Sequence, residues 1–417
     1  MTKSKLLTAV IPAILFCPGF ALADTSNFGR DRNVSVADRM PDEYRPLGFR
    51  LGAFMLAPKL ELGVASNDNV LYRPTDTVSD TQISVMPSAT LTSNWSRHAL
   101  SATASVDSES YSKYSDQNTT QWTVAAAGRL DIQRGSNIFA NASFGQRYEA
   151  LYDPSSPRSA AEPVKYDTSD LSAGVVWEQN RIRMTGILNY SKLNFFDVRD
   201  ANGNILSQDG RDFATTGFSG RLDYAISPSV SVYGTYSGNN RDYQSSSVNR
   251  NSHGYSSALG TSFEITSLMR GEVEVGHIEQ KYKNSAFKPA SGSFINGKVE
   301  YFPTQLMTVT LSSRSSVQET PDIGVSSFLS NNTNLRIDYE LLRPLLLHAS
   351  YGLISDDYKG EDRTDRRTSF ELGGRYMMSR RVSFQGQYQY SKNDSTGSAG
   401  IPGYVDNLFR ISLVLQY

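Results

Sequence analysis

The 417-residue sequence is poor in the residues that build most catalytic and metal centres, with one cysteine and four histidines. The single cysteine, Cys17, excludes an intramolecular disulfide. The histidines are His98, His253, His277 and His348, and none stands at metal-ligand spacing from another histidine or a cysteine. Neither an HExxH motif nor a G-x-S-x-G nucleophile elbow is present. The sequence therefore predicts no cofactor, no bound metal and no enzymatic activity.

Long apolar runs and an excess of one charge are also missing. Beyond the first two dozen residues, no stretch reaches the run of about 18 apolar residues that marks a membrane-spanning helix. Lysine and arginine together number 41 against 42 aspartates and glutamates, which gives a formal net charge of −1. Because no basic stripe is visible, the sequence predicts no nucleic-acid partner.

The first residues have the features of an export signal. Lys3 and Lys5 give a positive start, Leu6–Phe16 is apolar, and Ala21–Ala23 supplies the small residues that precede a cleavage site. We therefore predict a signal peptide over residues 1–23; the alternative is a short buried helix. Since this segment holds the one cysteine of the chain, the exported protein would contain none.

The next segment, residues 24–49, is polar and charged and contains Pro41 and Pro46. Such a composition cannot bury a core of its own and predicts an extended periplasmic tail. The remaining segment, residues 50–417, is predicted to form one outer-membrane β-barrel domain.

Apolar and polar residues alternate with a period of two through this segment, and helical spacing is almost absent. In one stretch the apolar positions are Leu335, Ile337, Tyr339 and Leu341, with charged residues between them. This period is typical of a β-strand with one apolar and one polar face. Such segments centre near residues 60, 88, 104, 127, 142, 173, 187, 220, 234, 260, 275, 297, 309, 337, 350, 373, 386 and 411.

Short turns and long polar loops alternate between these segments. The predicted turns are Ser96–Arg97, Arg134–Gly135, Gln179–Asn180, Ser227–Pro228, Pro303–Thr304, Arg343–Pro344 and Ser379–Arg380. The predicted loops are Leu151–Tyr166, Phe196–Asp212, Asn239–Ser252, Gln318–Ser330, Asp356–Arg367 and Ser391–Gly403. Outer-membrane barrels show this asymmetry, with short periplasmic turns and long extracellular loops. The predicted fold is all-β: a single transmembrane antiparallel up-and-down β-barrel of about 18 strands (16–18), in the outer membrane of a Gram-negative bacterium.

A soluble β-sandwich, a set of sandwich domains or a β-propeller would also show alternation. Aromatic residues near the predicted strand ends favour the membrane barrel, because aromatic girdles mark membrane interfaces. They are Tyr111, Tyr148, Tyr190, Phe195, Phe196, Tyr243, Tyr282, Tyr351, Tyr390 and Tyr404. No internal repeat of the propeller or β-helix type is visible.

The last predicted strand ends on an aromatic residue and is similar to the closing strand of an outer-membrane barrel. Its apolar face consists of Phe409, Ile411, Leu413, Leu415 and Tyr417, and Val414 is the one apolar residue on its other face. We predict that the first face contacts lipid and serves as a barrel-assembly signal. The expected partners are therefore outer-membrane lipid and the barrel-assembly machinery.

Charged residues on the predicted inward faces are the candidate functional residues. They are Arg183, Arg221, Asp223, Lys298, Glu300, Arg336, Asp338, Glu340, Glu371, Arg375 and Arg410, together with Glu272 and Glu274. An arginine turned towards lipid near the bilayer midplane would cost about 2–4 kcal/mol, which opposes a one-residue slip of any of these strands. Mixed charges in a pore can select solutes; the alternative is that they only keep the wall hydrated and cross-linked.

Two acidic groups in the predicted loops suggest a calcium or protease site. The first comprises Asp356, Asp357, Glu361, Asp362 and Asp365, and the second Asp197, Asp200, Asn202, Asp209 and Asp212. Neither has the fixed ligand spacing of an EF-hand loop. Solvated extracellular loops are the simpler interpretation.

The stretch from Val36 to Val70 contains a recognisable pattern. A charged tail leads to Pro46-Leu47-Gly48, then Gly52-Ala53-Phe54, and Asp68-Asn69 ends the first strand. This resembles the outer-membrane β-barrel porin family associated with exopolysaccharide biosynthesis operons, whose pattern is an acidic-Arg-Pro-Tyr tail, a PxG turn into a Gly-x-Phe strand, and an Asp-Asn pair. The resemblance implies an outer-membrane protein associated with polysaccharide secretion and supplies no catalytic residues.

Two functions remain open at this point. The first is a porin-like channel that assists the export or passage of exopolysaccharide or other polar solutes. Tyrosine rings on its inward faces would stack on sugar rings, and amide groups would bind hydroxyls. The alternative is a structural or adhesive outer-membrane protein whose loops bind surface polysaccharide while the lumen stays closed. A barrel-embedded lipase or protease is a third option, for which no nucleophile or acid pair can be assembled.

Overall fold

Eighteen long antiparallel strands build a single closed barrel in a computed structural model, which describes residues 27–30, 32–151, 153–245, 249–320, 325 and 327–417. The strands are β1 Phe54–Asn67, β2 Asp80–Ser93, β3 Ala99–Tyr111, β4 Thr119–Gln133, β5 Ser136–Glu149, β6 Val164–Gln179, β7 Ile182–Phe195, β8 Phe213–Ser227, β9 Val230–Tyr243, β10 Ser252–Ile265, β11 Met269–Tyr282, β12 Ala290–Thr304, β13 Met307–Glu319, β14 Ser327–Leu342, β15 Leu345–Lys359, β16 Thr364–Met377, β17 Val382–Thr396 and β18 Tyr404–Gln416. The predicted all-β barrel is confirmed, and each predicted strand centre falls inside one of these strands. The predicted signal peptide, residues 1–23, lies outside the described residues.

The barrel closes where the last strand meets the first. β18 pairs with β1 in register from Lys59↔Gln416 to Asn67↔Leu408. Each strand therefore has a hydrogen-bonded neighbour on both sides, as the hydrocarbon of a membrane requires. Below this ladder a short strand, Phe49–Leu51, pairs with Phe54–Leu56, and the Phe49 ring stacks on Tyr417 at 4.1 Å.

The two faces of the wall differ as the alternation predicts. Leu222 and Ile226 on β8 are each 52% exposed, whereas Asp223 between them is 3% exposed. Arg221 forms an ion pair with Glu272 on β11 at 3.0 Å. Because a link across three strands is possible only on the concave side of the sheet, the polar face is the inner face. The apolar outer face is the one that contacts lipid.

The connections between strands are short at one end of the barrel and longer at the other. At the periplasmic end they contain two to five residues, and at the extracellular end four to seventeen. In the turn Arg134–Gly135, Gly135 has φ +74°, which glycine adopts without strain. The sequence pattern does not predict the turn at residues 266–268, which joins β10 to β11. In the described part of the chain the helices are the 3₁₀ turns Asp42–Tyr44, Ser115–Gln117 and Asp209–Arg211, and none could cross a membrane.

Several strands continue into segments that the sequence assigns to loops. The predicted loop Asp356–Arg367 is wrong, because β15 and β16 are joined by residues 360–363 alone. Arg367 binds Asp356 at 2.7 Å and Arg363 binds Asp365 at 2.5 Å. These ion pairs hold charged strand ends together above the membrane, where both strand faces are polar and the alternation of apolar residues is lost.

The predicted aromatic girdle is only partly correct. Tyr351 points outward and is 45% exposed, as expected of a girdle residue. Phe195, Tyr243 and Tyr404 are 6%, 8% and 9% exposed and are packed at the extracellular strand ends. Phe195 stacks on Tyr166 with the ring centroids 5.1 Å apart. Position near a strand end therefore does not by itself identify a lipid-facing aromatic residue.

The orientation of the wall predicts opposite effects of one substitution at two positions of β8. We expect Leu222→Arg to lower the free energy of unfolding by about 2–4 kcal/mol, because it places a charge against lipid. Ser219→Arg, which points into the lumen three residues earlier, should change it little. Urea titration in lipid vesicles, followed by heat-modifiable migration on gels, measures both; equal losses would contradict the assigned faces.

Candidate functional site

The lumen is the candidate functional site, because eighteen strands enclose more space than inward side chains can fill. A cavity of about 710 Å³ occupies part of it, from the periplasmic half of β11 to the extracellular end of β13. Its lining includes Asn189, Asn239, Asn296, Glu272 and Arg314. Amides, hydroxyls and charges of both signs therefore face the same space.

Arg221 is the centre of one charged group in the lumen. Its guanidinium donates to Asp223 at 2.9–3.0 Å and to Glu272 at 3.0 Å. It also lies 3.6 Å over the ring of Tyr233. Since a buried carboxylate such as Asp223 is costly without a cation, these contacts fix the position of the arginine.

A second group joins three neighbouring strands. Arg336 binds Asp338 at 2.8 Å and approaches Glu371 at 4.0 Å. His348 Nε2 lies 2.8 Å from the same Glu371 carboxylate. The predicted residues of β14 and β16 are thus brought together, and His348 completes the group.

The other predicted lumen residues have separate partners. Glu300 binds Lys298 at 2.9 Å and Arg270 at 2.5 Å. Further pairs are Arg183 with Glu178 at 2.6 Å, Arg410 with Glu109 at 3.2 Å, and Glu340 with Arg39 at 2.8 Å. Arg375 donates to the Gln416 side chain at 3.4 Å, and Glu274 accepts from Asn296 at 3.2 Å.

Several of these partners lie outside the segments that the sequence predicts to be strands. Arg241 and Glu319, which bind each other from β9 and β13, fell within segments assigned to loops. Arg39 lay in the tail that was expected to extend into the periplasm. Beyond Asn239 and Gln318 the residues on both strand faces are polar, so the alternation of apolar residues gives no signal for the first pair.

The N-terminal tail lines the inside of the periplasmic rim, and we call residues 27–30 and 32–45 the inner collar. It contacts successive parts of the rim through Asn27 with Asn180, Arg30 with Pro228, Arg32 with Glu264, Arg39 with Glu340 and Glu43 with Arg380. Val36 is 2% exposed, and its backbone N–H donates to the inward-facing Thr308 hydroxyl at 3.0 Å. Burial lowers the pKa of the Arg30 guanidinium from its usual value. The collar therefore narrows the periplasmic mouth.

A loop narrows the lumen from the extracellular side, and we call its residues 150–151 and 153–163 the constriction loop. The Ser155 hydroxyl donates to the backbone carbonyl of Glu319 at 3.5 Å. Arg158 approaches Glu361 at 3.7 Å. The loop connects β5 and β6, which lie far around the wall from β13 and β15. These contacts therefore bring the loop across the opening.

The carboxylates of the two acidic loop groups accept hydrogen bonds from their own or neighbouring loops. Asn204 donates to the Asp200 carboxylate through its side chain and backbone, and these bonds lower the pKa of Asp200. The Ser398 N–H likewise lowers the pKa of Asp362 by donating to it at 2.9 Å. Burial raises the pKa of Asp212. Within the described ranges no three histidine, cysteine or acidic residues are arranged to hold a metal.

Comparison with known proteins assigns this barrel to a family. The sequence profile of the family described as "Putative beta-barrel porin 2" matches residues 41–417. The chain belongs to this porin family. No curated protein sequence matches it.

Solved outer-membrane proteins resemble this porin in fold at low sequence identity. OccK9 (OpdG) of Pseudomonas aeruginosa is 11% identical with a TM-score of 0.46, over 89% of this chain and 100% of its own. OpdK of the same organism is 12% identical with a TM-score of 0.44, over 87% and 99%. The P. aeruginosa siderophore receptor PirA is 9% identical with a TM-score of 0.45, over 89% and 81%.

Family membership and architecture together place the porin in the outer membrane of a Gram-negative bacterium. The C-terminal strand has the predicted faces: Phe409 and Ile411 are 52% and 54% exposed on the outside, while Val414 is fully buried inside. Porins have a polar interior that forms a water-filled channel.

Neutralising Arg221 should change the ion selectivity of the porin. We expect Arg221→Gln to shift the reversal potential in a salt gradient towards cation selectivity, because Asp223 and Glu272 lose their counter-charge. The matched control is Lys281→Gln, which removes the same charge from a 52% exposed side chain on the outer face. Equal shifts in both variants would contradict a role of Arg221 in the conducting path.

Removing the inner collar should widen the periplasmic mouth. We expect deletion of residues 27–45 to raise the conductance of the purified porin in planar bilayers, and to lower its thermal stability because Glu264 and Glu340 lose cationic partners. Heat-modifiable migration confirms that the deleted protein still forms a barrel. An unchanged conductance in a folded variant would show that the collar does not obstruct the path.

Proposed function

We propose that this porin passes polar solutes across the outer membrane and that its physiological cargo is an exopolysaccharide or its fragments. Family membership supports a porin-type barrel. The observation that carries the proposal is the polar inner wall, whose ion pairs include Arg39–Glu340, Arg221–Asp223 and Arg241–Glu319. The proposed activity is passive passage without catalysis.

The chemistry of the cavity favours an uncharged or weakly charged polar cargo. Its wall combines amides and hydroxyls, such as Asn189, Asn239 and Ser237, with charges of both signs. Amides and hydroxyls match the alternating donors and acceptors of sugar hydroxyls. Because most of the arginines are already paired with carboxylates, the wall does not present one dominant charge to an ion.

Solute passage can be measured directly. We expect the purified porin to conduct in planar bilayers and to swell liposomes in neutral sugars, at rates that fall with sugar size. Added oligosaccharide should reduce the ionic current by occupying the lumen. A folded barrel that neither conducts nor swells liposomes would overturn the proposal; heat-unfolded protein is the control.

A structural or adhesive role is the second candidate, and the inner collar and constriction loop favour it because they obstruct both mouths. Extracellular loops would then hold surface polysaccharide. Replacing residues 198–210 of the loop after β7 by a short Gly-Ser linker separates the two functions. Lost retention of polysaccharide on the cell with unchanged conductance would favour adhesion, whereas a changed conductance with unchanged retention would favour passage.

A further inference from the structure

The hydrogen-bonded wall divides between β12 and β13. Their ladder runs through Tyr301↔Val309 up to Gly297↔Ser313 and goes no further in the described part of the chain. Above it, Ala290–Asn296 stays paired with β11, and Arg314–Glu319 stays paired with β14. At the fork the Ser315 N–H donates to the Asn296 side chain at 2.7 Å. We call residues 314–319 the inturned segment.

The inturned segment lies on the lumen side of its neighbours. Val317 belongs to the set of alternate residues of β13 that face outward lower in the strand, yet it is only 7% exposed. It packs with Ala290 and Ile278, which lie on the inner faces of β12 and β11. Leu329 of β14 joins this cluster. A Cβ on Gly292 would lie 2.6 Å from Leu329 Cδ2, so any larger residue there would displace the Leu329 side chain. The wall therefore overlaps itself instead of leaving a gap towards lipid.

Besides Ser155 of the constriction loop, three further side chains from other parts of the barrel hold the tip of the inturned segment. Arg241 on β9 forms an ion pair with Glu319 and donates to the Val317 carbonyl at 3.3 Å. The Tyr282 hydroxyl donates to the Glu319 carboxylate at 3.2 Å. Arg250 donates to the Thr320 carbonyl. These contacts form a latch that fixes the segment inside the lumen, beside the 710 Å³ cavity that Glu319 also lines.

A second position of the segment is available without any change of register. Continuing the Gly297↔Ser313 pairing would oppose Ile295 to Ser315 and Ser293 to Val317. The inward-facing residues of β12 and β13 would still face inward, because the pairing continues without a one-residue shift. The unpaired edge of β12 would gain a partner, which offsets the loss of the latch contacts.

We propose that the inturned segment is a gate of the extracellular half of the lumen. In the closed position it is latched at Glu319, and in the open position it pairs with β12 and leaves the cavity continuous with the outside. The gate rests on the proposed passage of solutes through this lumen. It is distinct from the inner collar, which narrows the opposite mouth.

Two disulfide variants that share the substitution Val317→Cys test the closed and open positions of the inturned segment. The exported chain is predicted to have no other cysteine, so no other disulfide can form. Ser293→Cys with Val317→Cys can join only when the segment pairs with β12. Ala290→Cys with Val317→Cys matches the packing of the closed position. We expect both pairs to oxidise in folded barrels. The first should then raise the single-channel conductance reversibly with reductant, and the second should hold it at or below the parent value.

Glu319→Gln tests the latch independently. We expect it to raise the open probability and, when combined with Ser293→Cys and Val317→Cys, to speed formation of the disulfide between those two positions. Asp394→Asn is the control, because Asp394 is an exposed carboxylate paired with Lys392 at 2.8 Å on β17. Failure of the first cysteine pair to oxidise in a folded barrel, with or without Glu319→Gln, would overturn the gate. If both cysteine pairs oxidise as expected but no variant conducts or swells liposomes, the two positions of the segment are confirmed. The proposed passage of solutes, and therefore the gating role, is then contradicted.

Discussion

The structure depends on one constraint: inside a membrane, each backbone N–H and C=O must find its partner within the chain. A sheet meets this constraint only by closing, and the ladder between β1 and β18 closes it. The short strand Phe49–Leu51 covers the part of β1 that lies below that ladder. Where the ladder ends, between β12 and β13, apolar side chains from the two sides of the opening pack together.

Closure has a second consequence, because it gathers the polar faces of all strands around one space. Carboxylates such as Asp223, Glu340 and Glu371 are buried there at 3–5% exposure. Each is stabilised by a cation or a hydrogen-bond donor that reaches it along or across the wall. The same ion pairs keep the lumen polar and hold its side chains in fixed positions.

The lumen is narrowed by three segments of different origin, and each is held in place by hydrogen bonds or ion pairs. The inner collar binds Glu264 and Glu340, the constriction loop reaches Glu319 and Glu361, and the inturned segment is bound by Arg241. An eighteen-stranded wall without them would enclose an open aqueous channel. This porin therefore differs from an open barrel in having both mouths narrowed.

The period-two pattern by itself determined the fold class, the number of strands and the side of each strand that meets lipid, because these follow from local alternation and from the cost of charge in hydrocarbon. It also placed Arg221, Asp223, Arg336 and Asp338 on the inner face. It could not locate the strand ends above the membrane, such as Asp356 in β15, since both faces are polar there. Only the tertiary structure decided which charges meet, that the tail lies inside the rim, and that β13 leaves the wall. Those features arise from contacts between residues far apart in sequence, as between Arg241 and Glu319, and sequence periodicity carries no information about such contacts.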